Sequence, residues 1–161
     1  MPDSQDSDVD RTVRRAQDVL FFAYRDFTNA ADVLLEEIGL GRAHHRVLHF
    51  VGRNPGMTVS ELLGILRIAK QSLARVLGEL VERGHVAQAK GGADRRQRLL
   101  TLTQTGADLE RRLFDRQKAC LAPAFDAAGP DAFAGFLATM RAIMDPATRS
   151  LLDATGNSDV R

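Results

Sequence analysis

The order of structural patterns in residues 58–103 constrains the fold more than any other feature of the sequence. Two helical patterns, separated by a short break at Arg67-Ile68, end at Gly84, and beyond it the apolar period changes from helical to alternating. Residues 85–90 and 97–103 are therefore predicted to be strands, with the glycine-containing segment 91–96 as the tip between them. We expect a chain that is mainly α with a small β-hairpin.

The second of these helices, 69–83, is predicted to have one buried and one exposed face. Its apolar residues follow the spacing of a buried helix face, and they are Leu73, Val76, Leu77, Leu80 and Val81. The exposed residues near its N-terminus are polar or cationic and begin with Lys70. Gln71 can bond an adenine edge, Arg75 a guanine edge or a phosphate, and Ser72 a base or a phosphate. This helix therefore suits the major groove of double-stranded DNA.

Positive charge is concentrated in the same stretch. The chain of 161 residues has a formal net charge of only +1, but residues 67–98 hold eight Lys or Arg against three Asp or Glu. Arg95 and Arg96 lie at the hairpin tip and Arg98 follows in the second strand, a placement that favours a polyanionic partner over a solvated mixed surface. The alternative is a module of the same fold that docks a protein, although such a hairpin would more often present apolar residues.

Several short motifs in this stretch resemble those of the MarR family, the multiple-antibiotic-resistance type of transcription regulator. The resemblance rests on the order and spacing of these motifs together, since each alone is weak. It covers most of the chain and is sharpest from His45 to Gly106. The motifs are PGMTVSEL at 55–62, KQSLARVL at 70–77, LVERG at 80–84, DRR at 94–96 and LTQTG at 102–106.

The resemblance implies a winged helix-turn-helix fold and a homodimer, most often a repressor, with two winged lobes on a pseudo-palindromic DNA site. It also implies that Arg96 enters the minor groove and that Asp94 supports the wing. Two residues depart from the family pattern. Ala69 stands where a serine-like N-cap is usual, and Gly78 lies inside the recognition helix, where it either permits close backbone approach or weakens the helix.

Helices are predicted on both sides of this lobe. The predicted segments are a disordered acidic tail at 1–10, an N-terminal dimerisation helix at 11–42, the DNA-binding lobe at 43–103, C-terminal dimerisation helices at 104–154 and a flexible tail at 155–161. Pro123 is expected to kink or end the first C-terminal helix, and Pro146 to interrupt the last helical segment. Thr58 and Glu61 have the spacing of a capping box, and Thr103 can cap the helix that follows the hairpin. Apolar stripes that a small lobe cannot cover predict the homodimer, and they consist of Leu20, Tyr24, Phe27, Ala31, Leu34 and Ile38 in the first helix and Phe133, Phe136, Leu137, Met140 and Met144 near the C-terminus.

Histidine and cysteine residues are expected to have structural rather than metal-binding roles. His44, His45 and His49 are close in sequence, but a structural zinc site usually needs four ligands, and we interpret them as surface or interface histidines. Cys120 lies in an apolar setting that favours an inert packed thiol, with oxidant sensing as the alternative. No catalytic motif is present, so the sequence predicts neither an enzyme nor a cofactor.

A small effector is a further expectation. In the family such ligands often lie between the dimerisation helices and the winged lobe, where sequence order places Tyr24, Arg25, His45 and His49. We expect an anionic or aromatic compound. The single cysteine and the absence of a membrane-length apolar run or signal peptide predict a cytoplasmic protein without a membrane partner.

Overall fold

The computed structural model describes residues 4–156, which form a mainly helical chain with a small antiparallel sheet, as predicted. No helix among these residues is both long enough and apolar enough to cross a membrane. In chain order the elements are α1 (Ser4–Glu37), α2 (Arg42–Arg53), β1 (Met57–Thr58), α3 (Val59–Leu66), α4 (Lys70–Glu82), β2 (Val86–Lys90), β3 (Arg98–Leu102), α5 (Gln104–Ala128), α6 (Ala132–Ile143) and α7 (Pro146–Gly156).

The sheet contains three strands rather than the two that were predicted. β3 lies in the centre, with β2 on one side and β1 on the other, and both pairings are antiparallel. Val86 pairs with Leu102 at the open end of the hairpin, while Met57 pairs with Leu100. β1 therefore joins the turn before α3 to the base of the wing.

One hydrophobic core is shared by the helices α1 to α5 and the sheet. Its fully buried side chains come from six elements, of which α1 and α5 close it with Leu35 and Leu113. Val81 was predicted to be buried in this core but is 38% exposed, because it lies at the edge of the apolar face near the C-terminus of α4. The fully buried set from the lobe includes Leu48, Leu62, Leu73, Leu80 and Leu100.

Side-chain caps fix the starts of two helices. At α3 the Glu61 N–H donates to Thr58 Oγ1 at 3.1 Å and the Thr58 N–H donates to Glu61 Oε2 at 2.7 Å, which confirms the predicted capping box. At α5 the Gly106 N–H donates to Thr103 Oγ1, confirming Thr103 as the N-cap. Gly106 also packs so closely on the backbone that a Cβ there would lie 1.9 Å from the His85 carbonyl oxygen. α5 is thereby held against the end of α4.

One expectation about the outer helices is wrong, and a second is narrowed. Residues 4–10 belong to α1 instead of a disordered tail, because acidic side chains are favourable near a helix N-terminus and Asp8 pairs with Arg11 one turn later at 2.5 Å. Residues 1–3 lie outside the described part. Pro123 does not end α5, which continues to Ala128, since a proline removes only one N–H donor and its φ angle is compatible with a helix. The alternative, that Pro123 kinks α5, stays a prediction.

The predicted C-terminal segments are helical as far as they are described. Pro146 begins α7 at the position where a helix needs no N–H donor, so it interrupts and then restarts the helical path as expected. Residues 155 and 156 of the expected flexible tail are helical and complete this helix, whereas residues 157–161 lie outside the described part.

Candidate nucleic-acid interface

The N-terminal face of α4 is polar and open to solvent. Leu73, Val76 and Leu77 turn into the core, and this leaves the opposite face of the first two turns outside. Ala69 is the N-cap and makes no side-chain hydrogen bond, so the first N–H groups of the helix have no cap from this residue. The predicted contact residues on this face are all exposed, and they are Lys70, Gln71, Ser72 and Arg75.

The guanidinium of Arg75 has a partner within the chain. Its Nη1 donates to Glu79 Oε1 at 2.8 Å, and Glu79 Oε2 lies 2.7 Å from Nε2 of His44. The pKa of the Glu79 carboxyl is lowered, mainly by the hydrogen bond from His44 and also by Arg75. Glu79 is therefore a carboxylate that two positively polarised groups hold in place.

His44 is buried, which corrects its interpretation as a surface or interface histidine. Only 6% of the residue is exposed, and both of its ring nitrogens have partners. The Gly41 N–H donates to Nδ1 at 3.1 Å, and the second nitrogen faces Glu79. Burial is tolerated because the polar atoms remain hydrogen-bonded. The sequence contained no local signal for this contact, since residues 44 and 79 are far apart in the chain.

The hairpin tip has an ordered backbone that presents cationic side chains. The Arg96 N–H donates to Asp94 Oδ1 at 2.9 Å, and the Gly91 N–H donates to the Gln97 carbonyl at 3.1 Å. A Cβ at Gly91 would lie 2.6 Å from the Asp94 carbonyl oxygen, so this turn requires glycine. The three arginines of the wing are exposed, and they are Arg95, Arg96 and Arg98.

A separate cavity of about 260 Å³ lies between α1, α2 and α5. It brings together three of the four expected effector contacts, which are Tyr24, His45 and His49. Arg25 is not among the lining residues. It pairs with its neighbour Asp26 at 3.0 Å and stacks over Phe22, because it lies about 100° around the helix from Tyr24.

Two arginines of α2 line this cavity and were missed in the sequence. Arg42 forms an ion pair of 2.7 Å with Asp32 of α1, and Arg46 follows one turn later. The spacing of residues 42, 45, 46 and 49 is that of one helix face, a signal that could have identified both arginines. Phe27, Thr28 and Gln117 complete the lining.

Burial in the cavity lowers the pKa of both of its histidines and so favours their neutral form. Burial lowers the pKa of His49 to about 4, and Arg53 and His45 act in the same direction. Burial also lowers the pKa of His45. Nearby, burial raises the pKa of the Glu110 carboxyl, whose Oε1 lies 4.0 Å from Nδ1 of His49. Arginines are thus the cations that line the cavity.

Neither the histidines nor the cysteine form a metal cluster within residues 4–156. No group of three or more potential ligands in that part of the chain could hold a metal ion. Cys120 is exposed on α5 rather than packed, because this part of α5 lies beyond the core in the single chain and the neighbouring Ala119 and Leu121 are exposed as well. This corrects the expectation of a packed thiol.

Comparison with known proteins identifies transcription regulators. A model of the MarR family matches residues 38–97. The HTH-type transcriptional regulator PetP of Rhodobacter capsulatus is 46% identical over 141 residues, which cover 88% of this chain and 85% of PetP.

Two solved structures with bound DNA share the fold. FabT of Streptococcus pneumoniae in complex with DNA gives a TM-score of 0.70 at 18% identity, over 80% of this chain and 92% of FabT. A MarR variant of Escherichia coli complexed with operator DNA gives 0.65 at 18% identity, over 83% of this chain and 96% of the variant. At this identity the likeness concerns the fold alone.

Proposed function

The chain belongs to the MarR family of DNA-binding transcription regulators, and from this premise we propose that it acts as a homodimeric repressor on a pseudo-palindromic operator. The observation that carries the proposal is the pairing of an exposed polar helix face with an exposed cationic wing on one lobe. Repression would follow from occupation of a promoter. We propose no enzymatic activity, and a regulator of chromosomal genes would act in the cytoplasm.

The two parts of this surface would make different contacts with DNA. Gln71 and Arg75 of α4 would read base edges in the major groove, with Lys70 and Ser72 on bases or flanking phosphates. The wing would place Arg96 in the minor groove, supported by the Asp94 hydrogen bond to its backbone. The two other wing arginines, Arg95 and Arg98, would contact phosphates.

Binding-site selection with purified variants tests this division of contacts. We expect Arg96→Ala to weaken binding to all sequences and to flatten the salt dependence, because a cation is lost from each lobe. Arg75→Ala should relax the preference at particular base pairs, at a cost of about 1–3 kcal/mol per base contact.

Arg112→Ala, an exposed cation on α5 outside the wing and α4, is the matched control. The control should bind like the parent. If Arg96→Ala and Arg75→Ala also bind DNA like the parent, the DNA-reading role of this surface is wrong, and a protein-docking module becomes the better account. A promoter–reporter assay separates repression from activation, since repression requires higher expression when the protein is deleted.

The homodimer is supported by apolar side chains that the single chain leaves exposed. Phe21 and Phe22 of α1 are 70% and 58% exposed, and Phe133 and Ile143 of α6 are exposed as well. A patch of this kind marks an interaction surface. We expect a dimer mass by light scattering at micromolar concentration, and a folded monomer at that concentration would contradict the proposal.

The effector is proposed to be a small anionic or aromatic compound in the cavity between α1, α2 and α5. An aromatic ring could pack on Tyr24 and Phe27, and an anion could pair with Arg42 or Arg46. Such a ligand would change operator affinity by favouring one spacing of the two lobes. Salicylate and benzoate are suitable probes. Arg46→Gln should weaken their binding, and unchanged thermal stability and operator affinity at saturating concentrations would contradict the proposal.

A further inference from the structure

A chain of three hydrogen bonds connects the start of α2 to the exposed face of α4. The Gly41 N–H donates to His44 Nδ1, and because that nitrogen accepts, the ring proton of neutral His44 lies on Nε2. Nε2 can then donate to Glu79 Oε2, which lies 2.7 Å away. The other carboxylate oxygen of Glu79 accepts from Arg75 at 2.8 Å.

The outer end of this chain lies on the surface and its inner end in the core. The Arg75 side chain is 65% exposed, Glu79 is 33% exposed, and His44 is only 8% exposed. Arg75 would otherwise be a long, mobile side chain, whose ordering on DNA costs conformational entropy. Because Glu79 is itself held by the buried His44, its contact with Arg75 restricts the Arg75 side chain before DNA binds.

We propose that His44 and Glu79 are positioning residues that preorganise Arg75 for base recognition. The contact with Glu79 uses one donor nitrogen of the guanidinium, Nη1, and Arg75 has two more, Nε and Nη2. This pair suits the two acceptors of a guanine edge. The inference rests on the base-reading role of Arg75 in the proposed function, and extends it to two residues that need no contact with DNA.

A second tie supports the rigidity of this corner of the lobe. Arg83, at the end of α4, donates from Nη1 to the Ile38 carbonyl at the end of α1, at 2.7 Å. This tie holds the C-terminal end of α4 against the connection between α1 and α2, about one turn beyond Glu79, so the position of Glu79 does not depend on the His44 contact alone. Loss of the His44–Glu79 contact should therefore release Arg75 without moving α4.

The test measures the ratio of operator to random-sequence affinity, together with the base preference at each operator position, for the full-length protein. His44→Phe keeps the ring and removes both hydrogen bonds, and we expect the ratio to fall about threefold to tenfold. The base preference should relax at the positions that Arg75→Ala relaxes. In an Arg75→Ala background, His44→Phe should cause no further change.

Rescue by a conservative variant separates positioning from a general structural role. His44→Gln places an amide at the third position of α2, where its oxygen can accept from the Gly41 N–H and its NH₂ group can donate to Glu79. We expect its ratio to lie within about twofold of the parent. Glu79→Gln retains one acceptor oxygen for two donors and should lower the ratio as His44→Phe does, which keeps the test decisive if His44→Phe fails to fold.

The outcomes distinguish the inference from its premise. An unchanged base preference in Arg75→Ala would contradict the base-reading role itself. If Arg75→Ala relaxes the preference but His44→Phe and Glu79→Gln do not, the base-reading role stands and the positioning role is wrong. Equal losses of operator and random-DNA affinity in His44→Phe, or a His44→Gln variant as impaired as His44→Phe, would also overturn it.

Discussion

The winged lobe and the outer helices differ in where they bury their apolar residues. In the lobe Leu48, Leu62 and Leu80 are completely buried within one chain. In contrast, α6 has no buried residue, and residues 19–24 of α1, which are apolar on every side of the helix, are all exposed. A helix that is apolar all round is normally buried. The lobe therefore has a complete core within one chain, whereas apolar residues of the outer helices are left exposed in the single chain.

The boundary between the two regions runs through α1. Its apolar stripe is continuous in the sequence, but Ala31, Leu34 and Leu35 are buried against the lobe while Leu20 and Tyr24 are exposed. One helix thus belongs to the lobe at its C-terminal end and to an open apolar surface at its N-terminal part. Substitutions in the two parts should affect different equilibria, folding in the first case and assembly in the second.

The largest effect is expected for Leu100→Ala. Leu100 is completely buried in the central strand, and truncating such a leucine costs about 2–5 kcal/mol because it loses burial and leaves a cavity. Urea unfolding followed by circular dichroism measures the loss. Thr101→Ala, an exposed neighbour in the same strand, is the control and should cost less than about 1 kcal/mol. Similar losses in both variants would contradict the contrast between core and surface.

Phe21→Ala should weaken assembly of the dimer and have little effect on folding. The side chain is 70% exposed, so the folding of a single chain loses little, but burying one phenylalanine in a dimer contributes about 1.5–3 kcal/mol. We expect the dimer dissociation constant to rise at least about tenfold, measured by analytical ultracentrifugation. Arg14→Ala, also exposed on α1, is the control with little expected change. An unaltered constant for Phe21→Ala would remove this part of α1 from the proposed interface.

Features that depend on near neighbours in the sequence were predictable. The capping box of Thr58 and Glu61, the cap at Thr103 and the apolar face of α4 all follow from spacings of three or four residues, and the structure confirms them. The MarR family was recognisable for the same reason, since its motifs are short and ordered. Local reasoning failed at Val81, which lies at the exposed edge of its predicted face, and at Cys120, whose apolar neighbours in sequence do not pack it.

Features that depend on distant residues were not predictable. β1 has only two residues, and it is a strand because Met57 and Thr58 pair with a strand more than forty residues later. The partner of His44 is likewise 35 residues away. For Arg25, sequence order indicated the right helix, but the direction of the side chain depends on how α1 packs against α2 and α5. Tertiary contacts therefore decided each of these outcomes.

At the junction of the two regions, His49 should make stability depend on pH. Its pKa in the folded protein is about 4, below the ordinary value of 6.5, so between these values the unfolded chain binds more protons. His49 therefore favours unfolding as the pH falls from about 6.5 to 4, and its contribution is constant above that window. We expect the parent to lose more stability than His49→Gln between pH 7 and pH 5, measured by urea unfolding. Equal losses of stability in the parent and in His49→Gln would contradict His49 as the source of this pH dependence.

The smallest effect concerns a glycine within the lobe itself. Gly78 lies in α4, one turn beyond Arg75, and a Cβ there would meet nothing within 4 Å. The structure therefore gives no close approach within the chain that requires glycine, and Gly78→Ala should stabilise the protein by up to about 1 kcal/mol. Gly64→Ala in α3, equally open, is the matched control and should stabilise similarly.

These two glycine variants should differ only if DNA reaches the third turn of α4. The proposed contacts end at Arg75, so we expect Gly78→Ala to keep operator affinity within about twofold of the parent, as Gly64→Ala should. A gain in stability for both variants, with a loss of operator affinity for Gly78→Ala alone, would show that the DNA backbone approaches Gly78. The proposed interface would then extend one turn further along the recognition helix. Absence of any gain in stability would contradict the open environment of Gly78.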